Sequence, residues 1–242
     1  HEPAERTGPG GMHVVELGEG PDVVFVHGGA YGGIEAWQTQ VSLADRWHLI
    51  IPSRLNYGRS ATSAREDYAV DAELVAELLG DGAHLVAQSY AVRSLTLIES
   101  AASGVARETP EVQEYERRVR RLIDAGTGDP DGDFRELFSI LEPTATYPTP
   151  LPPDLLAFAG RIRTGLRWSW EESDLPIDRL RAAPFPTLVV SGGRRPLFER
   201  ISDALADRLG GERLIIDGGH STQNAGTAFN DALEAFLSRA TG

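Results

Sequence analysis

The sequence predicts an α/β fold: a mostly parallel sheet with helices on both faces, interrupted by one helical insertion. Strand and helix patterns alternate along most of the 242 residues, as they do in parallel sheets. The run 23–26 (VVFV) is apolar at every position, which is typical of a strand covered on both faces. Residues 101–181 break the alternation with consecutive helix patterns and proline-rich turns. These observations predict a core of residues 1–100 and 182–242, with an insertion over 101–181.

The first hundred residues supply five predicted strands and two predicted helices. The strands are Met12–Leu17, Asp22–Val26, Leu49–Ile51, His84–Ala87 and Val92–Ile98. The helices are Trp37–Ala44 and Glu66–Leu79. In the second helix, apolar residues recur at helical spacing, and Gly80 follows as a stop signal.

The insertion and the last part of the chain follow the same logic. Thr109, Pro110 and Glu111 form a helix start, and helices are predicted over Val112–Ile123, Phe134–Leu141 and Pro153–Thr164. Alternation then returns with strand Thr187–Ser191, helix Leu197–Leu209, strand Arg213–Ile216 and helix Ala225–Leu237.

Composition excludes several classes of function. The formal charge of −13 argues against binding to nucleic acid or to an anionic membrane, since both require a basic surface. The chain has no cysteine, which excludes thiolate catalysis, disulfides and zinc–thiolate sites. No apolar run approaches the roughly 20 residues of a membrane span, and the first residues lack the apolar segment of a signal peptide. A cytoplasmic location is the expectation, although a leader already removed would leave no trace.

Three motifs follow predicted strands, at the sheet edge where open α/β folds place their sites. His27-Gly28-Gly29 follows VVFV, and its glycines allow close backbone approach and exposed amide groups. Ala87-Gln88-Ser89-Tyr90 follows HLV, and Gly218-Gly219-His220 follows the last strand. Together they bring a glycine turn, a serine hydroxyl and an imidazole to one edge of the predicted sheet.

These motifs, in this order, resemble the α/β-hydrolase family along nearly the whole chain. The stretch Pro52–Ser60 (PSRLNYGRS) is similar to a loop of that family, and the insertion 101–181 is similar to its helical cap. Ala87 departs from the family pattern, which usually has glycine at that position.

The resemblance implies a catalytic triad and an oxyanion hole. Ser89 Oγ attacks a carbonyl carbon, while His220 takes its proton and later passes it to the leaving group. The backbone N–H groups of Gly29 and Tyr90 hold the developing oxyanion, and losing one such donor typically costs about 3–4 kcal/mol of barrier. His27 is expected to be structural, holding its loop through the imidazole.

The loop that usually carries the acid of the triad in this family reads Gly192-Gly193-Arg194-Arg195-Pro196 in this sequence. Arg195 stands at or near the expected position, and an arginine cannot stabilise an imidazolium. The family's second location is the end of the strand after the nucleophile's helix, where Glu99 stands. We therefore predict Glu99, with Asp217 and Glu199 as alternatives. A Ser–His pair, or lost chemistry, is a further alternative.

The short distance in sequence between Ser89 and Val92 raises a second question. Parallel neighbouring strands need a crossover of about a dozen residues or more, and the family has a helix here whose N-terminus helps stabilise the oxyanion. Two alternatives follow: an antiparallel hairpin that would destroy the site, or the absence of roughly 12–20 residues near Tyr90–Val92. The second predicts a Cα separation there far above the roughly 3.8 Å of bonded residues.

A hydrophobic acyl or ring-bearing substrate is expected, because aromatic and apolar residues flank the motifs. Tyr31, Trp37, Leu55 and Trp168 are the predicted substrate-binding residues. Serine as nucleophile disfavours dehalogenase and epoxide hydrolase activities, which use aspartate there. With neither a metal-ligand cluster nor a phosphate-binding loop in the sequence, we expect no metal and no cofactor.

Three functions remain open from the sequence. The first is hydrolysis of a carboxylic ester, lactone or thioester through an acyl-enzyme on Ser89. The second is non-hydrolytic chemistry on the same scaffold, such as a lyase or cyclase step in small-molecule biosynthesis, which would persist without Ser89. The third is ligand binding without turnover. Substrate identity and oligomeric state stay open.

Overall fold

The computed structural model describes residues 2–29, 31–63, 67–80, 82–87, 94–163 and 175–241. Its centre is an eight-stranded sheet with the strand order β1-β2-β4-β3-β5-β6-β7-β8. The strands are β1 Ala4–Thr7, β2 His13–Leu17, β3 Asp22–Val26, β4 His48–Pro52, β5 His84–Ala87, β6 Leu95–Ile98, β7 Thr187–Ser191 and β8 Glu212–Ile215.

The sheet is parallel from β4 to β8 and antiparallel only at the edge formed by β1 and β2. Helices pack on both of its faces, so the predicted fold class is confirmed. In register, Val24 lies opposite both Ile50 and Leu85, and Leu97 lies opposite Val189. Because the strands β3 to β8 are parallel, the loops after their last residues meet at one edge.

Helices of the described chain lie close to their predicted positions. The α-helices are α1 Tyr68–Leu79, α2 Pro110–Ala125, α3 Pro130–Leu141, α4 Pro153–Ala159, α5 Ile177–Arg181, α6 Pro196–Leu209 and α7 Thr227–Thr241. The 3-10 segments are Pro9–Gly11, Gly33–Asp45, Ser103–Ala106 and Gly219–Ala225. The helix predicted over Trp37–Ala44 is thus part of a longer 3-10 segment, which is kinked at Trp37.

Strand β1 is the one strand of the described sheet that the sequence analysis missed, and the short helix α5 was also not predicted. All four of its residues are exposed, and it pairs only with β2 at the rim of the sheet. Its sequence, AERT, has neither an apolar run nor a hydrophobic alternation, so a pattern based on burial cannot detect it.

The core lies on both sides of the sheet. One side packs the 3-10 segment Gly33–Asp45 and helix α7 against the strands, and Trp37 and Phe229 belong to it. Trp37 is fully buried, and its ring contacts Phe25 edge-on at 5.1 Å. The prediction that Trp37 binds substrate is therefore wrong in this structure: the kinked segment turns the indole into the core.

The insertion is attached to the core through its first helix. Val112, Tyr115 and Val119 of α2 pack in the same apolar cluster as Phe198 and Ile201 of α6. Helices α3 and α4 form a second small cluster, whose buried members include Phe134, Leu137, Leu151 and Leu155. The insertion therefore has its own apolar interior above one edge of the sheet.

The connection between β5 and β6 decides one alternative left open by the sequence. Leu85 pairs with Leu95 and Ala87 with Leu97 in parallel register, so the antiparallel hairpin is wrong. Residues 88–94 connect the two strands, fewer than the dozen or more that a parallel crossover ordinarily uses. The predicted break near Tyr90–Val92 lies outside the described residues and stays a prediction.

Within the described part of the chain, no helix has the length and apolar character needed to cross a membrane.

Candidate active site

A carboxylate and an imidazole meet at the carboxyl edge of the sheet. Glu99 directly follows the last residue of β6, and His220 lies in the 3-10 segment Gly219–Ala225 beyond β8. Glu99 Oε2 lies 3.3 Å from His220 Nδ1, and the Glu99 side chain is almost fully buried. The Phe198 ring lies against the imidazole at 4.6 Å between centroids. With Nδ1 facing the carboxylate, Nε2 is the nitrogen that can accept a proton from a substrate or nucleophile.

Backbone contacts fix the Glu99 carboxylate. The N–H of Gly192 donates to Glu99 Oε1 at 2.5 Å, and the N–H of Glu99 donates to the Val190 carbonyl at 2.9 Å. Glu99 has a φ of 43°, in the left-handed region that a non-glycine residue occupies only when its surroundings hold it there. A Cβ on Gly192 would lie 2.1 Å from the Gly219 carbonyl oxygen, so only glycine allows these loops to approach.

The alternative acids have other partners. Asp217 pairs with Arg194 at 2.5 Å, and its side chain is 77% exposed. Glu199 accepts hydrogen bonds from Ser191 Oγ at 2.8 Å and from the N–H of Gly193 at 3.0 Å, and so braces the loop after β7. Arg195 donates to the Ile140 carbonyl at the end of α3. Of the carboxylates in the described ranges, Glu99 is the one whose side chain contacts the His220 ring.

The glycine turn after β3 is held by the buried His27. His27 Nδ1 donates to the Gly28 carbonyl at 2.7 Å, and Nε2 accepts from the N–H of Arg54 at 2.9 Å. Burial, reinforced by the nearby Arg54 charge, lowers the pKa of His27 to about 3. Arg54 in turn forms a buried ion pair with Asp71 at 2.8 Å. These contacts fit the structural role expected for His27.

A pH dependence of stability follows from the lowered His27 pKa. In the unfolded chain His27 takes up a proton below pH 6.5, whereas the folded protein keeps it neutral down to about 3. The neutral His27 therefore costs no stability above pH 6.5. Below that pH, the free energy of unfolding falls by about 1.4 kcal/mol per pH unit. Urea unfolding measures this effect. Between about pH 7 and about pH 5, the free energy of unfolding should fall by roughly 2 kcal/mol more for the wild type than for His27→Gln. Equal losses in the two proteins would contradict this assignment.

Gly29 and Tyr31 lie at the wall of a cavity, next to His220. Tyr57 donates its hydroxyl to the Gly29 carbonyl at 3.0 Å, and a Cβ on Gly29 would approach the Phe158 ring to 3.1 Å. Tyr31 is 52% exposed, at the cavity wall. Ser89, Tyr90 and Trp168 lie outside the described residues.

The cavity has a volume of about 390 Å³, within the range of small-molecule sites. Its described lining joins the glycine turn, the insertion and the His220 segment. It comprises Gly28, Gly29, Tyr31, Glu35, Ala36, Phe134, Phe138, Leu141, Glu142, Tyr147, Leu155, Phe158, His220, Ser221, Gln223 and Asn224. Leu55 is not in this lining and packs against the core cluster beside α1, so its predicted substrate contact is not met either.

Two polar residues of this site were missed by the sequence analysis. Glu142, just after α3, accepts a hydrogen bond from the N–H of His220, although 78 residues separate them. Gln223 lies three residues beyond His220 and is 6% exposed. Neither belongs to a motif. Glu142 joins the site because the insertion packs over the His220 segment, whereas Gln223 is held there by hydrogen bonds from Thr39 and Gln40 to its carbonyl.

Among the residues that the structure describes, no group of three or more histidine, cysteine, aspartate or glutamate side chains could hold a metal ion.

A parallel sheet with a buried Glu–His pair at its carboxyl edge, below a helical insertion, defines the class of α/β-fold hydrolases. The model of the alpha/beta hydrolase family matches residues 23–232. The chain belongs to that family, and a hydrolase is the class of enzyme that this membership supports.

Solved structures share the fold at low sequence identity. An esterase from Thermogutta terrifontis is 20% identical with a TM-score of 0.67, over 99% of both chains. A 2-hydroxy-6-oxo-6-phenylhexa-2,4-dienoate hydrolase from Rhodococcus is 19% identical with a TM-score of 0.71, over 99% of both. A haloalkane dehalogenase from Bradyrhizobium elkani is 19% identical with a TM-score of 0.66, over 99% of this chain and 98% of that one. Comparison with curated protein sequences gave no match.

Proposed function

We propose that this protein is a serine hydrolase that cleaves a carboxylic ester, lactone or thioester through an acyl-enzyme on Ser89. The observation that carries the proposal is the contact between Glu99 Oε2 and His220 Nδ1 at the wall of the cavity. Ser89 is two residues beyond the end of β5 in the sequence. Strand β5 lies beside both β3 and β6, which lead to Gly29 and Glu99.

In the proposed mechanism, His220 Nε2 takes the proton of Ser89 Oγ while that oxygen attacks the carbonyl carbon. Glu99 stabilises the imidazolium and keeps Nδ1 as the protonated nitrogen. The N–H groups of Gly29 and Tyr90 hold the oxyanion. The tetrahedral intermediate collapses, and His220 gives the proton to the leaving alcohol or thiol. Water, deprotonated by His220, then hydrolyses the acyl-enzyme.

The proposed substrate is a small acyl compound with an apolar part. Four aromatic side chains from the insertion line the cavity: Phe134, Phe138, Tyr147 and Phe158. Such walls favour hydrophobic or ring-bearing groups, with a few polar groups setting orientation. Serine chemistry of this kind needs neither a metal nor a cofactor. We propose a cytoplasmic enzyme whose partner is this small molecule, rather than nucleic acid or a membrane surface.

Hydrolysis of a panel of p-nitrophenyl esters, lactones and acyl thioesters tests the proposal. The wild type should turn over at least one class, and Ser89→Ala should lose at least about a thousandfold in kcat. Turnover by Ser89→Ala at the wild-type rate would overturn the proposal and favour lyase or cyclase chemistry. Ligand binding to the cavity with no turnover of any class would favour a binding protein.

A further inference from the structure

The charged groups on the described cavity wall, apart from the paired His220, are both carboxylates. Glu142 accepts a hydrogen bond from the His220 backbone, and Glu35 is exposed at the wall after the glycine turn. Two arginines follow β7 nearby and do not belong to the lining: Arg194 pairs with Asp217 and also lies near the Glu142 charge, and Arg195 donates to the Ile140 carbonyl. The described cavity wall is therefore acidic.

Aromatic rings form the other part of the wall. Phe134 stacks on Phe138 at 4.3 Å between centroids, and Tyr147 meets these two rings edge-on at 4.8 and 5.1 Å. Phe158 lies 6.2 Å from both phenylalanines. Ring faces attract cations through their quadrupole, and this attraction increases where water is excluded.

The wall around Tyr147 is partly buried and lies near a carboxylate. Burial, then the nearby Tyr31 and then Glu142, raise the pKa of Tyr147 to about 12. Burial disfavours a charge of either sign, whereas the Glu142 carboxylate disfavours an anion and attracts a cation.

From these observations we propose that the cavity selects substrates carrying a protonated amine. The ammonium group would lie among the aromatic rings, near Glu142 and Glu35. This inference rests on the proposed function in one respect: it takes this cavity as the substrate site.

Binding of small probes tests the selectivity without requiring turnover. Isothermal titration calorimetry at neutral pH would compare phenethylammonium, phenethyl alcohol and phenylpropionate, which share a ring and a two-carbon arm. The cation should bind about tenfold more tightly than the alcohol, and the carboxylate more weakly than either. Equal binding of all three, or tightest binding of the carboxylate, would overturn the proposal.

Variants locate the preference in the cavity. Glu142→Gln should reduce the ratio of ammonium to alcohol affinity by about threefold or more. Glu77 is an exposed residue of α1 and does not belong to the described cavity lining. Glu77→Gln removes one negative charge, as Glu142→Gln does, and should leave the ratio unchanged. If Glu142→Gln does not fold, Glu35→Gln makes the same test. An unchanged ratio in the cavity variants would overturn the assignment.

The two proposals can fail separately. Selective ammonium binding with no ester turnover would end the hydrolase proposal and keep the cavity assignment. Ester turnover that depends on Ser89, with no preference for ammonium probes, would support the hydrolase proposal and overturn the ammonium selectivity.

Discussion

Glu99→Gln is expected to lower kcat by about three to four orders of magnitude while the protein stays folded. The carboxylate lies 3.3 Å from His220 Nδ1 and receives the Gly192 N–H on its other oxygen. An amide can keep only part of this arrangement: it cannot stabilise the imidazolium, and its NH₂ group can face Nδ1 and select the wrong tautomer. Hydrolysis rates for the best ester of the panel, with far-ultraviolet circular dichroism as the folding check, measure the effect.

The matched control is Asp217→Asn. Asp217 was an alternative acid, and its exposed side chain pairs with Arg194 instead. Its removal should change kcat by less than about threefold, because exposed ion pairs contribute little. Near-normal turnover by Glu99→Gln would refute Glu99 as the acid of a triad. A large loss of kcat in Asp217→Asn would instead identify Asp217 as that acid.

His220→Ala is expected to lower kcat by about five to six orders of magnitude, a loss comparable to that of Ser89→Ala. Both variants remove the same proton transfer, so the double variant should lose no more than either single variant. His48→Gln is the control, since that imidazole pairs with Asp22 at the start of the sheet, away from the cavity lining. Additive losses in the double variant would show that Ser89 and His220 do not act as one unit.

The fold was predictable because its signals are local. The apolar runs of β3, β5 and β7 mark buried strands over the same residues as in the structure. Strand β1 left no such signal, because an exposed edge strand needs no hydrophobic alternation. The parallel pairing of β5 and β6 could not be decided from sequence, because the link between them is too short for an ordinary crossover.

The site was predictable where residues lie at strand ends. Glu99 follows β6 and His220 follows β8, so topology alone brings the two loops to one edge. Glu142 and Gln223 could not be found in this way, because Glu142 is placed by the packing of the insertion and Gln223 by contacts with the 3-10 segment Gly33–Asp45. Trp37 shows the opposite error: its position after the glycine turn suggested a cavity wall, whereas the kinked 3-10 segment directs it into the core.

The most direct test is to locate a fluorophosphonate adduct by peptide mass spectrometry. Wild-type protein should carry the added mass on the peptide that contains position 89, Ser89→Ala should carry none, and His220→Ala should react far more slowly. An active enzyme whose adduct falls on a different serine, or which forms no adduct at all, would contradict the assigned nucleophile.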